Sequence, residues 1–506
     1  MRLDQLLGGG LPARLHRGDG STEITDLAFD SSRVEPGTLF FCVRGMTSDG
    51  HRFAPDAVAA GAAALVVDHE LGDLDVPQVL VEDTRRAMAP LAARFFGDPS
   101  RELRMVGITG TNGKTTTAFL TRSILEEAGL SCGLLGTVKQ VVGGVEEEVV
   151  RTTPEAIDLQ RTFRRMLDSG DRACVMEVSS HALVLGRADA IDFDVAAFTN
   201  LTQDHLDFHS DMEDYFAAKR LLFLPPPGGA LVAPDVAVVN VDDGYGAKLR
   251  AELLAADGPA VVSFSAAGGE ADLSATDVSF DATGTRFELR RGDGAEPRQV
   301  RLGIPGHFNV ENALAALGCA RGLDVDLATA IGALADAEPV PGRMEPVDEG
   351  QGFGVLVDYA HTPDSLENVL RAARRLTAGR LICVYGCGGD RDAGKRQLMV
   401  AAGAELSDVP VVTSDNPRSE DPDAIIAQML EGIAAARRED VIVDADRRRA
   451  IATALGTAEP GDLVVIAGKG HEQGQEFEGG RKEPFDDRDV AREELGRLRE
   501  AGGAPA

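Results

Sequence analysis

Short apolar runs that stop abruptly are the dominant pattern in this chain. Val106-Gly-Ile-Thr ends at Gly110-Thr-Asn-Gly-Lys-Thr115, Cys174-Val-Met at Glu177-Val-Ser-Ser-His181, and Val195-Ala-Ala-Phe-Thr at Asn200-Leu-Thr-Gln-Asp-His205. The same break recurs before Asp358-Tyr-Ala-His361, Gly386-Cys-Gly-Gly-Asp-Arg-Asp392, Asp415-Asn-Pro-Arg418 and Gly468-Lys-Gly-His-Glu472. Brief apolar runs bounded by glycine and polar residues predict buried strands of parallel sheets. Such sheets bind ligands beyond the carboxyl ends of their strands. These junctions therefore predict one cleft built by two α/β units.

Between the junctions the periodicity changes. Arg104–Thr109 predicts a strand and Lys114–Glu127 a helix, with Ala118, Ile124 and Leu125 toward a core and Gly129 as the stop. Residues 260–304 alternate apolar and polar positions among many Gly and Asp, which predicts an antiparallel extension of the central unit. A small α/β unit closes near Gly97-Asp-Pro-Ser, and Pro339-Val-Pro-Gly-Arg343 is a stiff, turn-forming boundary. The expected domains are 1–98, 99–340 and 341–506. At about 100–200 residues per domain, a length of 506 agrees with three.

Composition narrows the class. A hydrophobic fraction of 43% and a charged fraction of 26% are those of a globular protein. A net charge of -31 speaks against nucleic-acid partners and anionic membranes. No apolar run reaches the length of a signal peptide or membrane span, and the 6 cysteines are scattered, so a cytoplasmic chain with buried reduced thiols is expected.

Gly110, Thr111, Asn112, Gly113, Lys114, Thr115 and Thr116 carry the strongest chemistry. A glycine loop between strand and helix presents backbone N–H groups to phosphates, Lys114 reaches the β/γ-phosphates, and the Thr115 hydroxyl suits Mg²⁺. Ile108 stands where the strict pattern requires glycine. Glu177 is a second oxygen ligand for Mg²⁺, and His205 beside Asp204 is balanced between ligand and loop histidine. Lys219 lies in an amphipathic run, where spacing favours a surface residue. Yet lysine is scarce, seven against a combined Lys and Arg count of 51, and Lys114, Lys219, Lys395 and Lys469 all fall in or beside these motifs. Arginine cannot replace an amine that must change protonation or be modified.

Gly-Thr-Asn-Gly-Lys-Thr, Glu-Val-Ser-Ser-His, Asn200-Leu-x-x-Asp-His205, Gly-x-x-Asn-x-x-Asn-Ala and Asp-Tyr-Ala-His-x-Pro, running in order from Asp30 to Asp487, together resemble the Mur ligase family. That resemblance implies a UDP-binding N-terminal domain, a central P-loop ATPase domain with a mostly parallel sheet, and a Rossmann-like C-terminal domain. It implies an ATP- and Mg²⁺-dependent ligase, monomeric, joining meso-diaminopimelate to UDP-MurNAc-L-Ala-D-Glu through an acyl phosphate. Ser31, Met46, Thr47 and Ser48 match the uridine segment, and Thr152, Thr153, Ser179 and Arg187 the muramoyl-dipeptide contacts. Glu177 and His205 match the Mg²⁺ ligands, and Lys219 the lysine carbamylated in the family. His307, Asn309, Asn312, Arg343, Asp358 and His361 match the adenine and phosphate contacts. Arg391, Asp415, Asn416, Pro417, Arg418, Gly468 and Glu472 match the amino-acid contacts. Arg418 suits a distal carboxylate, which lysine lacks. An Arg418 left facing a dry pocket would discriminate by roughly 10⁴–10⁵-fold. The alternatives are the same chemistry with lysine or a folylpolyglutamate-type substrate, or a non-catalytic P-loop protein.

Overall fold

The computed structural model describes residues 1–502 apart from 9–12, 46–47, 148, 150, 257, 282–283 and 434. Its strands form three α/β sheets in chain order and one small hairpin. The first sheet runs Ala13–Arg17, Gln78–Val81, Ala64–Val67, Thr38–Phe41, Asp26–Ala28 across its width, antiparallel only at the first pair. Its central strands are buried on both faces because helices cover them, as their unbroken apolar sequences require.

The central sheet has 11 strands. Arg104–Thr109 sits between Ala173–Glu177 and Val195–Phe198, parallel to both, with Ile108 beside Glu177 and Thr109 beside Phe198. Three strand tips thus end side by side, carrying the glycine loop, Glu177 and the Asn200–His205 segment. Of the stretch 260–304 expected to be antiparallel, the strands Leu273–Asp281, Gly284–Arg291 and Arg298–Leu302 form an antiparallel extension, whereas Ala260–Ser265 continues the parallel run beside Val236–Asn240. Helix Lys114–Glu127 starts and ends where its pattern changes, and Ala118, Ile124 and Leu125 are buried. Helix Phe308–Gly322 packs beside it, nearly all apolar, over the same sheet face.

The third sheet has 6 strands, and Gly354–Asp358, Leu463–Ala467, Leu381–Tyr385 and Val409–Thr413 run parallel at its centre. Their tips hold Asp358, Gly468, Gly386 and Ser414, again as neighbours. All six cysteines are free and buried. Among the described residues no helix is long and apolar enough to cross a membrane.

Candidate active site

The two rows of strand tips face each other. Asn112 Nδ2 donates to Asp364 Oδ2 at 2.8 Å, Arg343 Nη2 to Thr115 Oγ1 at 3.3 Å, and Gln203 Nε2 to Asp392 Oδ2 at 3.2 Å. Each bond crosses from the central sheet's wall to the C-terminal one.

On the central wall the glycine loop is sterically fixed. Gly110 and Gly113 have φ of +150° and +84°. A Cβ would lie 1.9 Å from Thr199 Oγ1 at the first and 2.3 Å from Asn312 Oδ1 at the second. Lys114 Nζ donates to the carbonyls of Gly110 and Thr111 at 3.0 and 2.8 Å. Burial pushes its amine down, opposed by the Glu177 and Asp204 carboxylates. Lys219 is not a surface lysine. It is 1% exposed, its Nζ donates to the same Gly110 carbonyl at 2.8 Å, and the Tyr215 ring lies 4.6 Å away. Burial, then the Lys114 charge, holds its pKa well below that of an ordinary lysine.

Glu177 is buried where Thr115 Oγ1 donates to its Oε1 at 2.9 Å, the Thr137 N–H to Oε1 at 2.8 Å, and the Thr137 hydroxyl to Oε2 at 3.0 Å. A hydroxyl and a carboxylate this close are hard oxygen donors that fit Mg²⁺. His205 is set apart from them, with a left-handed φ of 55° and its Nε2 3.5 Å from Asp204. Burial, opposed by the Asp204 carboxylate, pushes its imidazole down to about 3, which favours the neutral form a metal ligand needs. Among the described residues, no hydrogen bond or ion pair joins it to Thr115 or Glu177.

The dipeptide contacts expected from sequence cluster beside Glu177. Thr153 Oγ1 donates to the Glu177 carbonyl at 2.9 Å and accepts the Ser179 N–H at 3.1 Å. Thr152 Oγ1 lies 3.1 Å from Thr137 Oγ1, and Arg187 Nη1 donates to the Thr153 carbonyl at 3.4 Å. Ser31 opens a short turn capped by Asp30, and the Ser48 carbonyl accepts the Gly45 N–H at 2.8 Å. Met46 and Thr47 lie outside the described residues.

A cleft between the walls is lined by Asn112, Gly113, Thr115, Thr116, Asn312, Arg343 and Asp358. Six residues expected there do not line it: Gly110, Thr111 and Lys114, which lie in the loop itself, and His307, Asn309 and His361. His307 is exposed at its helix start, Asn309 donates to the Pro305 carbonyl, and His361 turns toward Asp204. The cleft instead adds Phe308 and Glu311, which share a helix face with Asn312. Burial, then Asp242 and Asp364, pushes the Glu311 carboxyl up to about 7. Sequence reading passed over Glu311 because it picked only the asparagines of that helix.

On the C-terminal wall, Asn416 Nδ2 donates to Glu472 Oε2 at 3.0 Å and the Tyr359 hydroxyl to Oε1 at 3.2 Å. Gly468, at φ +121°, donates its N–H to the Asp358 carbonyl and so ties two strand tips. Arg391 is half exposed and 3.7 Å from Asp207. Pro417 continues the turn into Arg418, which has a left-handed φ of 52°. Arg418 already has partners within its own chain. Its Nε donates to Glu476 Oε2 at 2.9 Å and its Nη1 to the Gly389 carbonyl at 2.8 Å. An arginine bonded in this way costs less to leave without a further carboxylate than an orphaned one.

Residues 108–320 match the Mur ligase middle domain, 342–470 the Mur ligase glutamate ligase domain, and 23–96 the catalytic domain of the Mur ligase family. UDP-N-acetylmuramoyl-L-alanyl-D-glutamate–2,6-diaminopimelate ligase of Geobacillus kaustophilus is 47% identical over 479 residues, 94% of this chain and 96% of that one. The chain belongs to the Mur ligase family. The Streptomyces coelicolor ligase of the same name is also 47% identical, over 94% of this chain and 93% of its own. A solved structure of a ligase so named gives a TM-score of 0.68 at 32% identity, covering 98% of this chain and 99% of that one. Mycobacterium tuberculosis folylpolyglutamate synthase, solved with ADP and AMPPCP, shares the fold alone, with 18% identity and a TM-score of 0.59 over 84% of this chain and 96% of its own. As a Mur ligase the chain is an ATP-dependent amide ligase of peptidoglycan synthesis.

Outside the cleft of this Mur ligase, His51, Asp68 and His69 bring possible metal-binding atoms within 4.8 Å of one another. Arg44 Nε already donates to Asp68 Oδ2 at 2.7 Å, so that carboxylate is neutralised without an ion.

Proposed function

We propose that this Mur ligase joins meso-2,6-diaminopimelate to the γ-carboxylate of UDP-N-acetylmuramoyl-L-alanyl-D-glutamate, as a cytoplasmic monomer. Residues 1–98 take the uridine end, 99–340 the ATP and the muramoyl-dipeptide, and 341–506 the amino acid. One observation carries the reading. The wall that carries the glycine loop and Glu177 is bonded to the wall that carries Asn416 and Glu472 through Arg343–Thr115, Asn112–Asp364 and His471 with the Thr137 carbonyl. A phosphorylated acid held on the first wall thereby meets an amine held on the second.

The γ-carboxylate attacks the γ-phosphorus of ATP; the new O–P bond forms as the bond to the β,γ-bridging oxygen breaks, and ADP leaves. Lys114 and the loop N–H groups hold the charge that develops on the transferring phosphoryl group. The acyl phosphate is attacked by the free amine of the amino acid; the C–N bond forms, the C–O bond to phosphate breaks, and the amine proton is released. Thr115 and Glu177, joined by His205, would hold the Mg²⁺ that neutralises the phosphate oxygens. No protein nucleophile is required, and catalysis is mainly the positioning of two anions and an amine.

Lys219 supports a second element of the reading. Its amine is buried and easily deprotonated, so it can add CO₂ to give a carbamate and a proton. The modification turns repulsion from Lys114 into attraction, and a carboxyl-like anion beside the loop suits a cation bridging phosphates.

The test is ADP release by the purified enzyme with UDP-muramoyl-dipeptide and a panel of amino acids. Turnover with meso-diaminopimelate at least roughly a hundredfold above that with lysine is expected, short of the roughly 10⁴–10⁵-fold imposed when a site's polar group is left wholly unpaired. Turnover with lysine but not diaminopimelate overturns the assignment.

A further inference from the structure

Four of the scarce lysines stand at the cleft motifs, and the reaction above uses only Lys114 and Lys219. Lys469 is the most buried of the four, with no exposed side-chain surface. It follows the strand Leu463–Ala467 and lies between Gly468 and Gly470, both with positive φ. Its Nζ donates to Asn416 Oδ1 at 2.8 Å and to Glu472 Oε2 at 3.0 Å, and stands 3.7 Å from Asp415 Oδ1. That Asp415 oxygen is buried and has no hydrogen-bond partner. Arg447, the next cation, is matched by the fully buried Asp487 and fixes the Ser414 and Ala467 carbonyls, the roots of both loops. Two carboxylates therefore share one ammonium, and the pocket is short of a single positive charge.

We propose that Lys469 is the positioning residue of the amino-acid pocket: it aims Glu472 and Asn416 and leaves room for one substrate ammonium. The inference rests on the proposed placement of the amino acid at Glu472. With Lys469 in place, one Glu472 oxygen is pinned by Lys469 and Asn416, and the other is steadied only by the Tyr359 hydroxyl. The incoming ammonium bonds to that second oxygen and to the orphaned Asp415 oxygen. Both charges at the pocket are then satisfied, which a buried site requires. A second cation would be in excess, so a doubly positive side chain is rejected on charge rather than on size.

Charge also predicts a pH signature. Burial raises the Glu472 carboxyl, but Lys469 and the Asn416 amide outweigh it and hold it below the ordinary range. The other groups facing it are Asp415, Tyr359, His361, His471 and Arg447. Removing Lys469 leaves Asp415 and Glu472 to repel each other, so Glu472 takes up a proton at higher pH than before.

The experiment measures KM and kcat for meso-diaminopimelate in the full-length enzyme from pH 6 to 8.5, for the native chain, Lys469→Met, Tyr359→Phe and Glu472→Gln. The native KM should be flat with pH. Lys469→Met should raise KM about thirtyfold at pH 6, with partial recovery toward pH 8.5 as Glu472 ionises, while KM for ATP stays within about twofold. A pH-independent rise, or equal rises for ATP and diaminopimelate, overturns the proposal. Tyr359→Phe decides independently of whether Lys469→Met folds. It should raise KM by less than about fivefold with no pH slope, because Lys469 still holds Glu472. A loss matching Glu472→Gln shows instead that Tyr359 sets the carboxylate, and the proposal falls. If the native enzyme uses a different amino acid, the substrate assignment fails alone, and the same KM profiles are read with the amino acid it does use.

Discussion

The two walls of the cleft hold buried lysines in opposite company. Lys114 and Lys219 have backbone carbonyls as their close partners, and burial lowers the pKa of both amines. Lys469 sits among Asn416, Glu472 and Asp415. Among the described residues the first wall's two amines have no hydrogen-bonded carboxylate, because Glu177 bonds to Thr115 and Thr137 instead, and the second wall is short of one cation. Each is incomplete in the sense its substrate corrects: phosphates and a carboxylate on one side, an ammonium on the other. The lesson is that charge left unbalanced in a buried site marks what the site takes, whereas a balanced pair such as Arg447–Asp487 marks what holds it together.

The comparison is broken most directly at Lys114. Lys114→Met should lower kcat by about 10³-fold, the scale for losing a preorganised group on a developing charge. Isothermal titration with a non-hydrolysable ATP analogue should show a much smaller loss of affinity. Equal losses in both would mean that Lys114 serves binding alone.

Lys219→Ala comes next, with a fall of roughly 10²-fold that added short carboxylates partly reverse by replacing the missing anion. Intact-protein mass spectrometry of the native enzyme in bicarbonate should show the carbamate adduct. A variant as active as the native chain, or one that carboxylates never rescue, would remove the carbamate from the first wall.

On the second wall the smallest change is expected at Arg418, because Glu476 and the Gly389 carbonyl already share its guanidinium. Arg418→Met should raise KM for diaminopimelate about tenfold, or 1.4 kcal/mol, with kcat little altered. A loss of several thousandfold would show that Arg418 releases Glu476 and commits wholly to the substrate.

How much of this could be read without coordinates depended on distance along the chain. The strand Arg104–Thr109, the turn at Gly110–Gly113 and the helix Lys114–Glu127 are written locally, in an apolar run, two glycines and a periodic stripe, and they form within those bounds. The antiparallel extension was legible from alternation but its start was not, because 260–265 belongs to the parallel run. Lys219 was not. Its helix looks amphipathic with the lysine outward, and only the Gly110 carbonyl, 109 residues earlier, shows that it points inward. The partner of Arg418 was not legible either, because Glu476 is 58 residues away on a small hairpin. Lys469 was noticed for its rarity, but its acceptors come from another strand tip, and no local pattern records them.

Helix Phe308–Gly322 has a consequence for how this chain is made. It supplies Val310, Ala313, Leu314, Ala316, Leu317 and Ala320 to the core that also contains Val106, Ile108 and Ala118. The ribosome releases the glycine-loop strand well before that helix. With about 200 residues between them and elongation at about 5–20 residues per second, the half-built sheet waits roughly 10–40 s for its cover. During that interval its apolar face is a target for chaperones and a risk for misassembly, so slow codons placed between these segments should lower the yield of native enzyme.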